Sequence, residues 1–484
     1  MKPHYARIRR VKTHSGSTAI QVGFYQEKRF KLLKHIGSSK DQNKIAELVG
    51  IAGEYIRSST PQLELNFNPH SEEILYKRGL KISESRLDEA YDYLCRIYSG
   101  IGFDNLKSDL LKHFVVVRLL EPASKLKSIM LLKKYFGIRY RKTTVFRELR
   151  KLADHKEDVI RIAIKYAKNH LNFDFSLVFY DMTTLYFETD EGDDFRKNGF
   201  SKDNKINQPQ ILVGLVVNNT GFPVYYDLFE GNTFEGKTII PVILEIRRKY
   251  HIRKFTVVAD AGMLSQDNLG ELEKHNIDYI VGARIGGMNI KDIQRIADRL
   301  NRTDKKIIRE DGLLFDYSEK RAVKDKADND RQIKKAEYYL HNPSKVFKRS
   351  KFLSISDRKT FKLNTKLMEK YRLLEGVKGY KTNISNISNE LLIFRYRDLW
   401  KIEQSFRMAK SDLAARPIYH RRKKSIEYHI LIVFVALCMG RAIEVEKGES
   451  IRKTMDYLKD RWTILLKDEI SGNTVKLLLD KIPH

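Results

Sequence analysis

The sequence predicts an α/β protein, α+β and multidomain, built on a mixed-sheet core that a small β region and a helical region precede. Three observations carry this. The 484 residues correspond to about three units at ~150 residues each. Residues 176–281 read as strands and helices in the order β-β-β-α-β-α-β, whereas residues 44–171 show mostly helical spacing. Hydrophobic residues make up 42% and aromatics 11%, ample for large cores and unlike a disordered or collagen-like chain.

Taken in order, residues 1–40 hold ten Lys/Arg against one acid, Glu27. Alternating segments at Ala6–Val11, Ala19–Phe24 and Phe30–Ile36 read as strands joined by turns, so residues 1–60 are expected to be a basic β-hairpin region. Apolar spacing at Leu110, Phe114, Val117 and Leu120, then at Val145, Leu149 and Leu152, makes residues 61–170 a helical region for DNA binding or dimerisation. Within it, Leu131–Leu152 has the pattern of a helix-turn-helix, with Gly137 at the turn.

Ser176–Phe187 and Ile211–Val217 are β-rich, Asn218–Gly221 is a turn signal, and Phe222–Phe229 is the returning strand. Lys237–Tyr250 reads as a helix that admits Pro241 in its first turn. Phe255–Ala259 is a buried strand, Ser265–His275 a helix with Ser265 as N-cap, and Tyr279–Val281 another strand. A hairpin feeding a crossover helix gives a mixed sheet with helices on its faces; residues 171–290 are its first part. Residues 345–372 hold ten Lys/Arg and two acids, so residues 291–390 are expected to be a basic inserted domain. Helices at Tyr396–Ala414 and Ile426–Glu444 complete the core over residues 391–447, and residues 448–484 are expected to be a helical tail.

Lys and Arg total 91 against 62 Asp and Glu, a net charge of +29 that points to nucleic acid or an anionic membrane. The longest apolar run, Ile430–Met439, falls short of the ~18–20 residues needed to span a bilayer, and no apolar segment follows the basic N-terminus. No membrane partner is therefore expected. Cys95 and Cys438 are too few for a disulfide framework or a cysteine zinc site and suit a reducing cytoplasm.

Three acids stand out by position. Asp181 lies mid-strand between Tyr180 and Met182, and Asp260 directly follows the strand Phe255–Ala259. An acid in or beside an apolar strand is costly unless it is paired, solvated or bound to a cation. Either could simply cap its strand; two on neighbouring strands of one sheet point to a shared hard-cation site. In the third segment, Leu399, Ile402, Phe406, Ala409 and Leu413 form an apolar stripe at helical spacing, edged by Tyr396, Glu403 and Lys410 seven residues apart. Glu403 and Lys410 are too far apart to pair along the helix, so each faces solvent or another partner. Further candidates for phosphate contact are Lys202 in the loop Gly199–Asp203, Arg407, and Arg421 and Arg422 within Arg416–Lys424, which has five Lys/Arg and no acid. Phe229–Thr233 reads as turn chemistry, Glu191, Asp193 and Asp194 as a solvated loop, and His429 as a core residue.

The segments FYDMTTLYFE, GFSKDNKINQPQILVGLVVNNTGFPVYYDLFEGNTFEGKT, VVADAGMLSQDNL and YRDLWKIEQSFRMAKSDLAARPIYH resemble those of DDE transposases of bacterial insertion sequences. The match is to the group whose catalytic Glu sits in a Tyr-x2-Arg-x3-Glu-x6-Lys signature, and it covers about residues 110–440. The resemblance implies a ribonuclease H-like core in which Asp181, Asp260 and Glu403 hold two divalent ions, Mg²⁺ or Mn²⁺. It makes Tyr396 the signature Tyr and Lys410 the signature Lys. The signature Arg falls on Leu399, on the apolar stripe, so a phosphate contact there does not carry over; Arg395, Arg397 or Arg407 is left to supply it.

The expected function is a transposase that binds the ends of an insertion sequence and performs metal-dependent cleavage and strand transfer. Its expected partner is double-stranded DNA, at element ends and target, with a homodimer in the DNA complex and a cytoplasmic, nucleoid-associated bacterial location. A metal-dependent nuclease without strand transfer and a non-catalytic DNA-binding protein are the alternatives.

Overall fold

A computed structural model describes residues 6–26, 29–59, 80–199, 207–262, 265–342, 350–355, 361–468 and 473–480. The chain divides into two compact units, residues 1–81 with 466–475, and residues 82–465 with 476–484.

In the first unit β1 (Arg7–Lys12), β2 (Thr18–Gln26) and β3 (Arg29–Ser39) form an antiparallel meander. Helix α1 (Gln42–Ser59) packs on it through Ile45 and Ala52 against Ile20 and Val22. Asp41 starts the helix, its Oδ1 accepting the Asn43 amide at 2.8 Å.

Strand β4 (Leu80–Arg86) comes next, and the second unit then holds five helices, α2 (Asp88–Ile101), α3 (Asp109–Leu120), α4 (Lys125–Phe136), α5 (Lys142–Leu152) and α6 (Lys156–His170). Local chemistry sets their ends: Ser108 caps α3, Ser124 caps α4, and Gly137 closes α4 at φ +70°. The expected helical pair is thus α4 and α5, with Val145, Leu149 and Leu152 buried.

The sheet follows, with β5 (Val178–Tyr186), β6 (Gln210–Val217), β7 (Pro223–Glu230), α7 (Ile239–Lys249), β8 (Thr256–Ala259), α8 (Gln266–Lys274) and β9 (Asp278–Gly282). Strands β5, β6 and β7 are antiparallel, whereas β8 runs parallel to β5 and β9 parallel to β8. This is the mixed sheet that the element order predicts. The next elements are α9 (Ile290–Leu300), β10 (Ile307–Glu310), β11 (Leu313–Tyr317), α10 (Glu319–His341), β12 (Leu353–Ile355), β13 (Phe361–Leu363), α11 (Thr365–Leu373) and β14 (Val377–Thr382). Among the described residues the sheet has eight strands in the order β10-β11-β14-β9-β8-β5-β6-β7. Part of the basic stretch 291–390 is therefore continuous with the sheet, because β14 pairs antiparallel with β9. Another part, with Ile333, Ala336 and Phe352, forms a small core of its own.

The chain closes with α12 (Asn389–Arg397), α13 (Trp400–Arg407), α14 (Lys423–Lys447), α15 (Ile451–Lys459), β15 (Trp462–Asp468) and β16 (Thr474–Leu479). Three expectations are corrected here. The helix expected over Tyr396–Ala414 breaks at Asp398–Leu399 and ends in a π-helical turn at Met408–Asp412, where the Leu413 amide bonds the Met408 carbonyl at 2.9 Å. The tail is helical only to Lys459; Trp462, Thr463 and Ile464, then Thr474 and Val475, favour extended chain, and the strands form a sheet in the order β16-β15-β4. β4 itself interrupts the range read as helical. Helix α14 is long and apolar enough to cross a membrane, but its apolar window is 94% buried, packed against α3, α5 and β7. It is apolar all round because neighbours cover every side.

Candidate active site

The two aspartates are set by the pairing of β5 with β8. The parallel register matches Val178 with Val257 and Phe179 with Val258. Carried two residues on, it sets Asp181 opposite Asp260, and the two-residue period keeps both on the face of Phe179 and Val258. Neighbouring strands lie about 4.8 Å apart, so the two carboxylates start from adjacent positions. Asp181 is half-buried within an otherwise buried run, whereas Asp260, just past β8, is exposed. Each accepts the amide of its following residue, Met182 at 2.7 Å and Ala261 at 2.8 Å.

Glu403 arrives on α13. That helix is anchored at one end by Lys401 Nζ on the Asn219 carbonyl (2.6 Å) and Ser405 Oγ on the Gly221 carbonyl (2.8 Å). Further along, Phe406, Ala409 and Lys410 line a small apolar cavity with Thr183 and Leu185, on the face that carries Asp181. Glu403 lies between Lys401 and Ser405 and is exposed. Among the described residues no three Asp, Glu, His or Cys side chains stand close enough to form a closed metal-binding group.

Tyr396 departs from its expected place on an open edge. It is 3% exposed, and its hydroxyl donates to Asp260 Oδ1 at 3.2 Å. The break after α12 is the reason: Tyr396 and Glu403 sit on different helices, so Tyr396 turns toward β8 and β9. Its hydroxyl approaches the sheet closely because residue 282 is glycine; a Cβ there would lie 2.7 Å from the Tyr396 oxygen. Burial first, then the adjacent Asp260 charge, drives the Tyr396 phenol far above its usual range. Its ring meets Tyr380 edge-on, centroids 5.0 Å apart. Tyr380 in turn donates to the buried Asp316 (2.9 Å), which also accepts Arg321 (3.2 Å) and Arg397 (2.9 Å).

Sequence reasoning missed two cations here. Lys378 on β14 holds its ammonium 4.4 Å from the Tyr396 ring centroid. Burial pushes that ammonium below its usual value and Arg321 adds to the effect, while the carboxylates of Asp260, Asp316 and Glu403 oppose it. Arg284 fixes the loop after Asp260, bonding the carbonyls of Ala261 (3.0 Å) and Gly262 (3.1 Å). Both are ordinary basic residues in a basic chain; only strand pairing brings them beside Asp260.

The other candidates are dispersed. Leu399 is buried in the core as the stripe requires, and Arg397 is committed to Asp316. Arg407, Arg421 and Arg422 are exposed. The segment before α14 is tied to the end of β5 by the Ile418 amide on the Tyr186 carbonyl (3.1 Å). Lys410 is half-buried. Lys202 lies outside the described residues. Asp193, expected to be merely solvated, caps its own turn and pairs with Arg196 at 2.8 Å. His429 is a core residue, its Nε2 on the Ala415 carbonyl at 3.0 Å.

Carboxylates suited to hard cations, set beside lysine and arginine, mark an enzyme that works on phosphate esters of a polyanion. The chain matches the transposase DDE domain over residues 172–439, more than half its length, and belongs to that family. It is thus an enzyme of the polynucleotidyl transferase type, a transposase of DNA transposition. No curated protein matches the chain. Among solved structures it is similar to a Mos1 transposase paired-end complex with the left transposon end, at 14% identity over 50% of this chain and 68% of that chain, TM-score 0.17. A Mos1 mariner paired-end complex with Mn follows at 12% identity over 50% and 77%, TM-score 0.16. A pre-cleavage Mos1 transpososome is similar at 13% identity over 49% and 67%, TM-score 0.16.

Proposed function

We propose that this transposase binds the ends of a bacterial insertion sequence and catalyses their cleavage and strand transfer, with Asp181, Asp260 and Glu403 as its catalytic acids on a ribonuclease H-like core. The observation that carries the reading is the β5–β8 register, which puts two aspartates side by side on one face, beneath the helix of Glu403.

The donors are all carboxylate oxygens, which suits Mg²⁺ or Mn²⁺ over softer metals. Two such ions would supply charge at the attacking and leaving oxygens of an in-line displacement at phosphorus. The chain's own residues do the rest. Tyr396 orients Asp260. Lys410, Arg407, Arg421, Arg422 and Lys202 contact phosphates around the scissile bond. The basic first unit and the α4–α5 pair hold DNA outside the core. Two copies act on paired ends, in the cytoplasm with the nucleoid, and residues 291–390 act as the module inserted before the last acid.

The test uses the full-length protein with labelled duplexes from the DNA flanking its coding region, in Mg²⁺ or Mn²⁺. Asp181→Asn, Asp260→Asn and Glu403→Gln should each abolish cleavage and leave duplex binding largely intact. Any one that keeps more than a few per cent of wild-type activity drops out of the site. Cleavage without a joined product would reduce the activity to that of a nuclease.

A further inference from the structure

We propose that Lys378 is a phosphate-contacting residue of the active site, which binds a non-bridging oxygen of the DNA strand held against the three acids. The inference rests on the assignment of those acids, and its test separates the two.

The argument begins with an unspent donor. An ammonium carries three hydrogen-bond donors and, when half-buried, needs acceptors for them. Lys378 is half-buried, yet among the described residues its ammonium has neither a hydrogen-bond nor an ion-pair partner and rests only on the Tyr396 ring at 4.4 Å. The neighbouring cations differ. Arg321 and Arg397 spend donors on Asp316, and Arg284 spends two on backbone carbonyls.

The second step is position. Lys378 belongs to β14, two residues before Tyr380, which pairs with Gly282 of β9. The same Tyr396 that supports the lysine through its ring face bonds Asp260 through its hydroxyl. One aromatic side chain therefore holds a cation and a catalytic acid together. The ammonium therefore stands one side chain away from Asp260, with the Tyr396 ring between them.

The third step is what else this corner lacks. Position 399 on the Glu403 side is a buried leucine, and Arg397 is bound to Asp316. Bringing a phosphodiester to three carboxylates requires compensating positive charge, and of Lys378, Arg284, Arg321 and Arg397 only Lys378 has spent none of its donors among the described residues. A simple counter-ion of the acids would reach a carboxylate; this ammonium reaches none within 4.0 Å among the described residues.

The experiment compares wild type, Lys378→Ala, Lys378→Arg and Asp181→Asn as full-length proteins, with melting curves to establish folding. Duplex binding is measured without catalysis, in Ca²⁺, as a function of salt, using a random-sequence duplex and duplexes from the DNA flanking the coding region. Cleavage is measured in Mg²⁺ at saturating DNA. For Lys378→Ala the salt slope of binding should fall by about one phosphate, and the cleavage rate about ten- to hundredfold. Lys378→Arg should restore most of both. An unchanged slope and rate in Lys378→Ala, beside a dead Asp181→Asn, would overturn the lysine assignment and leave the acids standing. A rate that rises in Lys378→Ala at lower Mg²⁺ would also overturn it, since the lysine would then be a competitor of the metal. A slope that falls while wild type shows no metal-dependent cleavage would keep the phosphate contact and remove the catalytic reading of the acids.

Discussion

Tyr396 does two things through one side chain, and its parts can be separated. Tyr396→Phe keeps the ring that carries Lys378 and meets Tyr380, and removes only the hydroxyl on Asp260. A hydrogen bond to a charged group contributes roughly 1.5–3 kcal/mol. If it orients Asp260 during reaction, the variant should cleave at least about tenfold more slowly, with its melting temperature little changed. Leu399 should behave in the opposite way. It is buried in the main core, so Leu399→Ala should cost about 2–5 kcal/mol, read by denaturant unfolding. Leu399→Arg should impair folding and should not raise DNA binding or strand transfer. A stable, more active Leu399→Arg protein would place that position outside the core.

At the scale of elements, the hairpin between β6 and β7 positions the acids' strand and rests on one side chain. Asn218 is fully buried, and its Oδ1 accepts from the Thr220 amide (3.0 Å), the Thr220 hydroxyl (2.8 Å) and the Phe222 amide (2.8 Å). Asn218→Ala strands those donors and should cost about 1–3 kcal/mol, measured as a lowered melting temperature. The same turn receives Lys401 and Ser405 of α13 through the carbonyls of Asn219 and Gly221. Loosening it should therefore reduce cleavage more than its stability effect alone at temperatures where the protein stays folded. The break at Asp398–Leu399 belongs to this scale too. It lets α12 and α13 take different directions, so that Tyr396 bonds Asp260 while Glu403 is carried on the helix that packs over β5.

Over the whole molecule, charge governs both partner and stability. Arg7, Arg9 and Arg10 are exposed on β1 in the first unit. Reversing all three to Glu in the full-length chain should weaken DNA binding and flatten its salt dependence, while melting changes little. A second charge effect lies inside the fold. Burial, reinforced by Lys125 and Arg118, lowers His420 to about 4; burial likewise depresses His429 and Lys125, which contact each other at 3.4 Å. The unfolded chain takes up a proton at each histidine near pH 6.5, whereas the folded His420 refuses it until about 4. Stability should fall as pH drops through that window, and His420→Gln should flatten the fall in melting temperature. An unchanged slope would show that His420 is not the group responsible.

Much of this protein follows from local sequence. Alternation marked β1–β3, β-rich and apolar runs marked β5–β9, Asn218 and Gly221 set the hairpin, and serine caps set the starts of α4 and α8, because these signals act within a few residues of one another. Asp181 and Asp260 were legible for the same reason: a charge against an apolar strand is visible in one line of sequence. What sequence left open depends on pairing between distant segments. It took the β14–β9 ladder to join part of the basic stretch 291–390 to the sheet, and the β16–β15–β4 sheet to make strands of the tail. Helical periodicity extended smoothly through Leu399, but the fold broke the helix there, since Tyr396 is drawn to Asp260 and Lys401 to the hairpin carbonyl. Lys378 carries no mark among the chain's 91 Lys and Arg. Its place beside the acids was decided by a strand register some hundred residues after Asp260, a contact that only tertiary structure forms.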